Sequence, residues 1–213
     1  MPRLTREQAR AQTVEKLIEA AGRVVARNGF GAASVDQIAA EAGYSRGAFY
    51  WNFPSKEVIL LELLRRHMDA EMAEIGALVE AAESPSNFAG RVGLWAESFH
   101  ADANWALLSA ELELFAVRNA DFAERYEELQ ARHRAILAEL LTQLFAKAGS
   151  ELPMRADDLA IIFKALAQGL ALRNAARRDA TGSDDSARLL RILLDALIAS
   201  AKSLTPKESP SSI

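Results

Sequence analysis

The chain has 213 residues, half of them hydrophobic, with no cysteine and a formal net charge of −4. That length suffices for a small domain plus a larger one, and the composition excludes a disordered chain, a disulfide scaffold and a thiolate metal site. No stretch approaches the roughly 18 uninterrupted apolar residues of a membrane span, and the N-terminus has no long apolar run, so a cytoplasmic protein without a membrane partner is expected.

Alanine and leucine are abundant and period-two β-branched runs are absent, so the pattern predicts an all-α fold of about nine helices. Charge is uneven along it. Residues 1–56 carry eight bases (Arg3, Arg6, Arg10, Lys16, Arg23, Arg27, Arg46, Lys56) against five acids, a net +3 that leaves −7 for the remainder. A basic head on an acidic body orients a protein on a polyanion and keeps the body off it.

Residues 1–5 read as a loose arm. Thr5 with Gln8 is a capping-box pattern, and the helix it opens carries Val14, Leu17, Ile18, Ala21, Val24 and Val25 on one side until Asn28-Gly29 ends it. Ser34 with Gln37 repeats the capping box, predicting a helix from Val35 that Gly43 closes. Ser34 could also hold a phosphate at the helix amides, pure capping being the competing role. Ser45 caps a second short helix through Phe53, and Pro54 stops it. Two short helices joined by a tight turn have the form of a helix-turn-helix.

At about 100° per residue, Phe49 and Phe53 fall at about 40° and 80° from Ser45 and can pack inward. Arg46, Gly47, Tyr50 and Trp51 fall together between about 100° and 240°. That face suits DNA: arginine can pair bidentately with guanine, the phenol and indole can donate to phosphate, and Gly47 admits close approach of the backbone. The competing reading makes Tyr50 and Trp51 ordinary core aromatics. Lys56, in the first turn of the helix that Ser55 caps, opposes the helix dipole, which a nearby phosphate would relieve.

The run from Ile18 to Leu63 resembles the DNA-binding domain of the TetR family of transcriptional regulators. The resemblance rests on Gly29-Phe30, on S-V-x-x-I-A-x-x-A-G-x-S-x-G-x-F-Y-x-x-F over residues 34–53, and on P-S-K-E over 54–57. It implies a homodimer binding a palindromic double-stranded operator, controlled by a helical ligand-binding domain. The site residues expected at DNA are Ser34, Ser45, Arg46, Gly47, Tyr50, Trp51 and Lys56. The domain boundaries expected are 1–54 for a three-helix DNA-binding head, 55–204 for the effector-binding and dimerisation domain, and 205–213 for a disordered tail.

The helix after Ser55 runs unbroken to about residue 83 and links head to body. Ser84-Pro85-Ser86-Asn87 is a boundary. Helices follow over 88–101, 105–117, 120–148, 157–178 and 184–204. The last is apolar over more than half its circumference, and the one before it carries Ala160, Ala165, Ala167, Gly169 and Ala171. These two are expected to pair with their copies as a four-helix homodimer interface.

Aromatics cluster in the middle of the chain. Trp95, Phe99, Trp105, Leu112, Phe115 and Tyr126 are expected to border a small-molecule effector pocket, against the competing reading that such stripes are core. Gly43-Tyr44-Ser45-Arg46-Gly47 matches the G-x-S-x-G nucleophile elbow, but that motif needs a preceding strand, so no catalytic residue is assigned. His67, His100 and His133 lie on three helices without i,i+4 pairing, and neither metal nor cofactor is expected. The rival readings are a helical DNA-binding dimer without an effector pocket, and a helical structural protein or enzyme that does not bind DNA.

Overall fold

The computed structural model describes residues 5–82, 103–147, 149–176 and 185–204. Among them are eight helices and no strand: α1 (Arg6–Ala32), α2 (Val35–Ala42), α3 (Arg46–Asn52), α4 (Lys56–Glu80), α5 (Ala103–Arg118), α6 (Ala120–Lys147), α7 (Ala156–Ala176) and α8 (Asp185–Leu204). The helix expected over 88–101 and the tail from 205 lie outside the described residues.

Local chemistry sets the helix ends. The Gln8 N–H donates to Thr5 Oγ1 at 3.2 Å while the Thr5 N–H donates to Gln8 Oε1 at 2.9 Å, so the first capping box is complete. Near its end α1 is interrupted at Gly29, whose φ of 76° only glycine adopts without strain. Gly43 closes α2 at the same φ of 76° but with ψ 25°, the left-handed helical conformation of a glycine cap.

The described residues of Met1–Met68 and Asn104–Leu129 form one compact unit; those of Asp69–Ala103 and Gln130–Ile213 form another. Packing therefore does not divide the chain at Pro54. In the first unit Leu108 and Leu112 of α5 are buried in the same cluster as Leu17 of α1, Ile38 of α2 and Phe49 of α3. The Phe30 N–H donates to the Glu111 carboxylate at 2.9 Å, and the Phe30 and Phe115 rings lie 6.0 Å apart. Helix α5, expected to belong to the body, packs with the head because its apolar stripe finds its partner there.

In the second unit Val79 of α4, Leu141, Leu144 and Phe145 of α6, Leu159 and Ala160 of α7, and Leu194 and Ile198 of α8 make the core. The Lys147 Nζ donates to the carbonyls of Val79 (2.7 Å) and Glu80 (2.8 Å), placing a cation on the carbonyl end of α4. Half-buried Glu71 is also in this unit. Burial pushes its carboxyl up to about 7, opposed by Lys164 and reinforced by Glu74. Between the ordinary 4.5 and about 7 the native state keeps a proton that the unfolded chain has released, so stability falls as pH rises through that window. Thermal melts from pH 5 to pH 8 should show that decline, and Glu71→Gln should flatten it.

Candidate nucleic-acid interface

Helix α3 has seven residues, too few to persist alone in water, so tertiary contacts must hold it. Its hold is aromatic. Phe49 is fully buried and Phe53 nearly so, with ring centroids 5.9 Å apart. The Ser45 side chain accepts the Ala48 N–H at 3.2 Å and starts the helix.

The opposite face is open. Tyr50 is 46% exposed and Trp51 75%, and Arg46 and Gly47 are exposed beside them. The core reading of Tyr50 and Trp51 therefore fails on exposure. A Cβ added at Gly47 would meet only Ser45 Oγ, at 3.7 Å, so nothing in the protein itself requires glycine there.

Arg46 is held loosely. Its Nη1 lies 3.2 Å from Asp36 Oδ2, both side chains being more than 60% exposed, and its guanidinium sits 5.5 Å from the Tyr50 ring centre. Tyr50 first, and Asp36 second, hold the Arg46 pKa above its ordinary value. An ion pair this exposed is worth little, so Arg46 is poised and still able to leave Asp36 for a better acceptor.

Two expected contacts have other work. The Ser34 hydroxyl accepts the Gln37 N–H at 3.3 Å, and the Ser34 N–H donates to Gln37 Oε1 at 3.0 Å; its oxygen serves the cap. Lys56 is the larger revision. Its Nζ donates to the carbonyls of Phe30 (3.0 Å), Ala33 (2.9 Å) and Gly31 (3.5 Å), and lies 4.9 Å from the Phe30 ring centre. The conflict with the α4 dipole is thus relieved by the carbonyl-rich end of α1, and the case for a phosphate at Lys56 lapses.

Two further cations counted in the basic head, though exposed, are engaged within the protein. Glu41 accepts Arg23 Nε at 2.8 Å and Arg27 Nη2 at 2.5 Å; Arg27 first and Arg23 second hold its carboxyl below the usual range, and the group ties α2 to α1. Arg10, which sequence reasoning did not place, is exposed with its Nε 3.5 Å from Asn52 Oδ1 at the end of α3. No local signal could have found it, since the two residues meet only once α1 and α3 are folded together.

Of the residues expected to line an effector pocket, Trp95 and Phe99 lie outside the described residues. The others come together, but as core of the first unit. Leu112 is wholly buried and Tyr126 8% exposed. Phe115 packs edge-on against Phe122 at 5.1 Å, and Trp105 stacks on His67 at 4.0 Å. His133 is buried, with Nε2 3.0 Å from Asp69 Oδ1. Among the described residues no group of His, Asp and Glu is arranged to hold a metal ion.

Two family models match the chain: the bacterial regulatory proteins of the tetR family over residues 17–63, and the C-terminal domain of BetI-type transcriptional repressors over residues 103–199. The HTH-type transcriptional regulator YuxN of Bacillus subtilis is 42% identical over 72 residues, which are 33% of this chain and 25% of YuxN, so the match spans about a quarter of that relative's length. TtgW, an HTH-type transcriptional regulator of Pseudomonas putida, is 34% identical over 101 residues, covering 41% of this chain and 75% of TtgW. In fold, the chain is similar to the transcriptional regulator FadR of Bacillus subtilis in complex with stearoyl-CoA, with a TM-score of 0.64 at 20% identity over 87% of this chain and 97% of that one. With the helix-turn-helix formed by α2 and α3 and no strand among the described residues, the chain belongs to the TetR family of transcriptional regulators.

Proposed function

We propose that this regulator binds a palindromic operator as a homodimer in the cytoplasm, acts as a repressor, and is released by a small, largely apolar effector bound in its helical body. The observation that carries the DNA half is the division of α3, with Phe49 and Phe53 inward and Arg46, Gly47, Tyr50 and Trp51 outward. In this reading Arg46 reads a base edge, and Tyr50 and Trp51 meet the phosphate backbone. Arg10 is added to the contacts, and Lys56 is removed from them.

Dimerisation through α7 and α8 is supported by apolar surface that one chain leaves uncovered. Only 17% of the most apolar 18-residue window of α7 is buried, and Ile161, Ile162 and, on α8, Ile192 are each more than 40% exposed. By length and composition alone α7 could also cross a membrane. A second copy is the better cover, because paired heads are what read two half-sites about one DNA turn apart. The effector half rests on a known arrangement in a protein of this fold, FadR with its stearoyl-CoA. Ligand would act by favouring a conformation other than the DNA-competent one, and must bind that conformation more tightly.

The test is binding to duplex DNA from the gene's own upstream region, followed by fluorescence anisotropy against salt. Arg46→Ala should cost about 1–3 kcal/mol of operator affinity and relax base preference, with little change in stability because its ion pair is exposed. Gly47→Ala should stabilise α3 by up to about 1 kcal/mol while weakening operator binding, since the added methyl faces the groove. Affinity unchanged in both variants would sink the assignment of this face.

A further inference from the structure

Inside the second unit, where the α6 stripe calls for apolar side chains, two polar ones are buried: Gln130 and His133, one turn apart and 7% and 2% exposed. His133 has a visible role. Its Nε2–H donates to Asp69 Oδ1 on α4 at 3.0 Å, and Arg132 Nη2 lies 3.6 Å from the same oxygen. Gln130 does not: neither its Nε2 nor its Oε1 has a hydrogen-bond partner among the described residues. Removing an amide from water without replacing its bonds is a standing cost to the fold, and leucine at this position would avoid it. A group kept there at that cost is best explained by a ligand that satisfies it.

We propose that Gln130 is the polar fixture of the effector site, recognising a neutral head group that presents an acceptor and a donor side by side: a primary carboxamide or an undissociated carboxylic acid. This rests on the reading that the helical body takes a largely apolar effector, and moves the site from the aromatics of the first unit to α6 of the second. The side-chain amide offers donor and acceptor in one plane, matching such a head at two points. Neutrality follows from burial, because the amide carries no charge to offset the desolvation of an ionised head. Leu137, two turns further along α6 and partly buried against the second core, continues the stripe on which an apolar tail would lie.

The full chain and Gln130→Leu are compared by thermal melting without ligand, and by calorimetric titration with octanamide and N,N-dimethyloctanamide, which keeps the acceptor but has lost both donors. Gln130→Leu should melt about 2–4 °C higher, because it removes an unsatisfied amide. The native chain should bind octanamide about tenfold more tightly than its dimethyl analogue, and Gln130→Leu should bind the two alike. Gln130→Met is the second variant, in case the branched leucine strains the packing. A lowered melting temperature in both variants would mean that the amide is already satisfied, and would overturn the proposal. Equal affinity of the native chain for both amides, or no binding at roughly millimolar octanamide, would overturn it as well. Binding of the native chain to its upstream DNA is measured without any amide present; failure there would sink the regulator reading, while the octanamide results would still decide the role of Gln130.

Discussion

Phe49→Ala is expected to remove about 3–5 kcal/mol of stability, and with it all measurable operator binding. Phe49 is 0% exposed, and its ring meets Tyr50 edge-on at 5.5 Å and Phe53 at 5.9 Å. It belongs to the buried cluster that also holds Leu17, Ile38, Leu60 and Leu112, so truncation opens a cavity in the core of the first unit. Domains of ordinary stability have only about 5–15 kcal/mol to lose, and α3 has no means of surviving undocked. Urea denaturation followed by circular dichroism measures the loss. Trp51→Ala is the control from the same helix: at 75% exposure it should change stability by less than about 0.5 kcal/mol while weakening DNA binding. If Phe49→Ala unfolds like the native chain, the inward anchoring of α3 is wrong.

The contrast between those two aromatics was legible in the sequence because it depends only on helical period and on where the helix begins. Ser34 with Gln37, Gly43 and Ser45 fix their helix ends through partners three or four residues away, so four or five letters carry the whole signal. The location of α5 was not legible. Phe30 and Glu111 are 81 positions apart, and an amphipathic stripe says that a helix face is covered without saying by what. The same gap explains the pocket. Leu112, Phe115 and Tyr126 carry an apolar pattern that serves a core and a ligand wall equally well, and only the packing shows that Leu112 and Tyr126 join the buried cluster of the first unit with Phe115 against it. Gln130 stood on the α6 stripe, four residues after Tyr126 and three before His133, so its burial could have been anticipated. That its amide finds no partner among the described residues could not.

Lys56→Met is the second change with a large expected effect, and it separates two accounts of one cation. If Lys56 held a phosphate, the variant would keep its stability, and the salt dependence of operator binding would flatten by about one counterion. The geometry leads elsewhere. Three carbonyls, of Phe30, Gly31 and Ala33, point at one ammonium, and these are groups at the end of α1 that have no further helical turn to bond to. Methionine would keep the stem and lose every donor, leaving part-buried carbonyls unpaired; the expected cost is about 1.5–3 kcal/mol, the range for bonds to charged groups. Phe30 would suffer most, since Lys56 holds its carbonyl and lies against its ring while Glu111 holds its N–H. Operator affinity should then fall only as far as the folded fraction falls, with the salt slope unchanged. A flattened slope with an unchanged melting temperature would return Lys56 to the DNA surface.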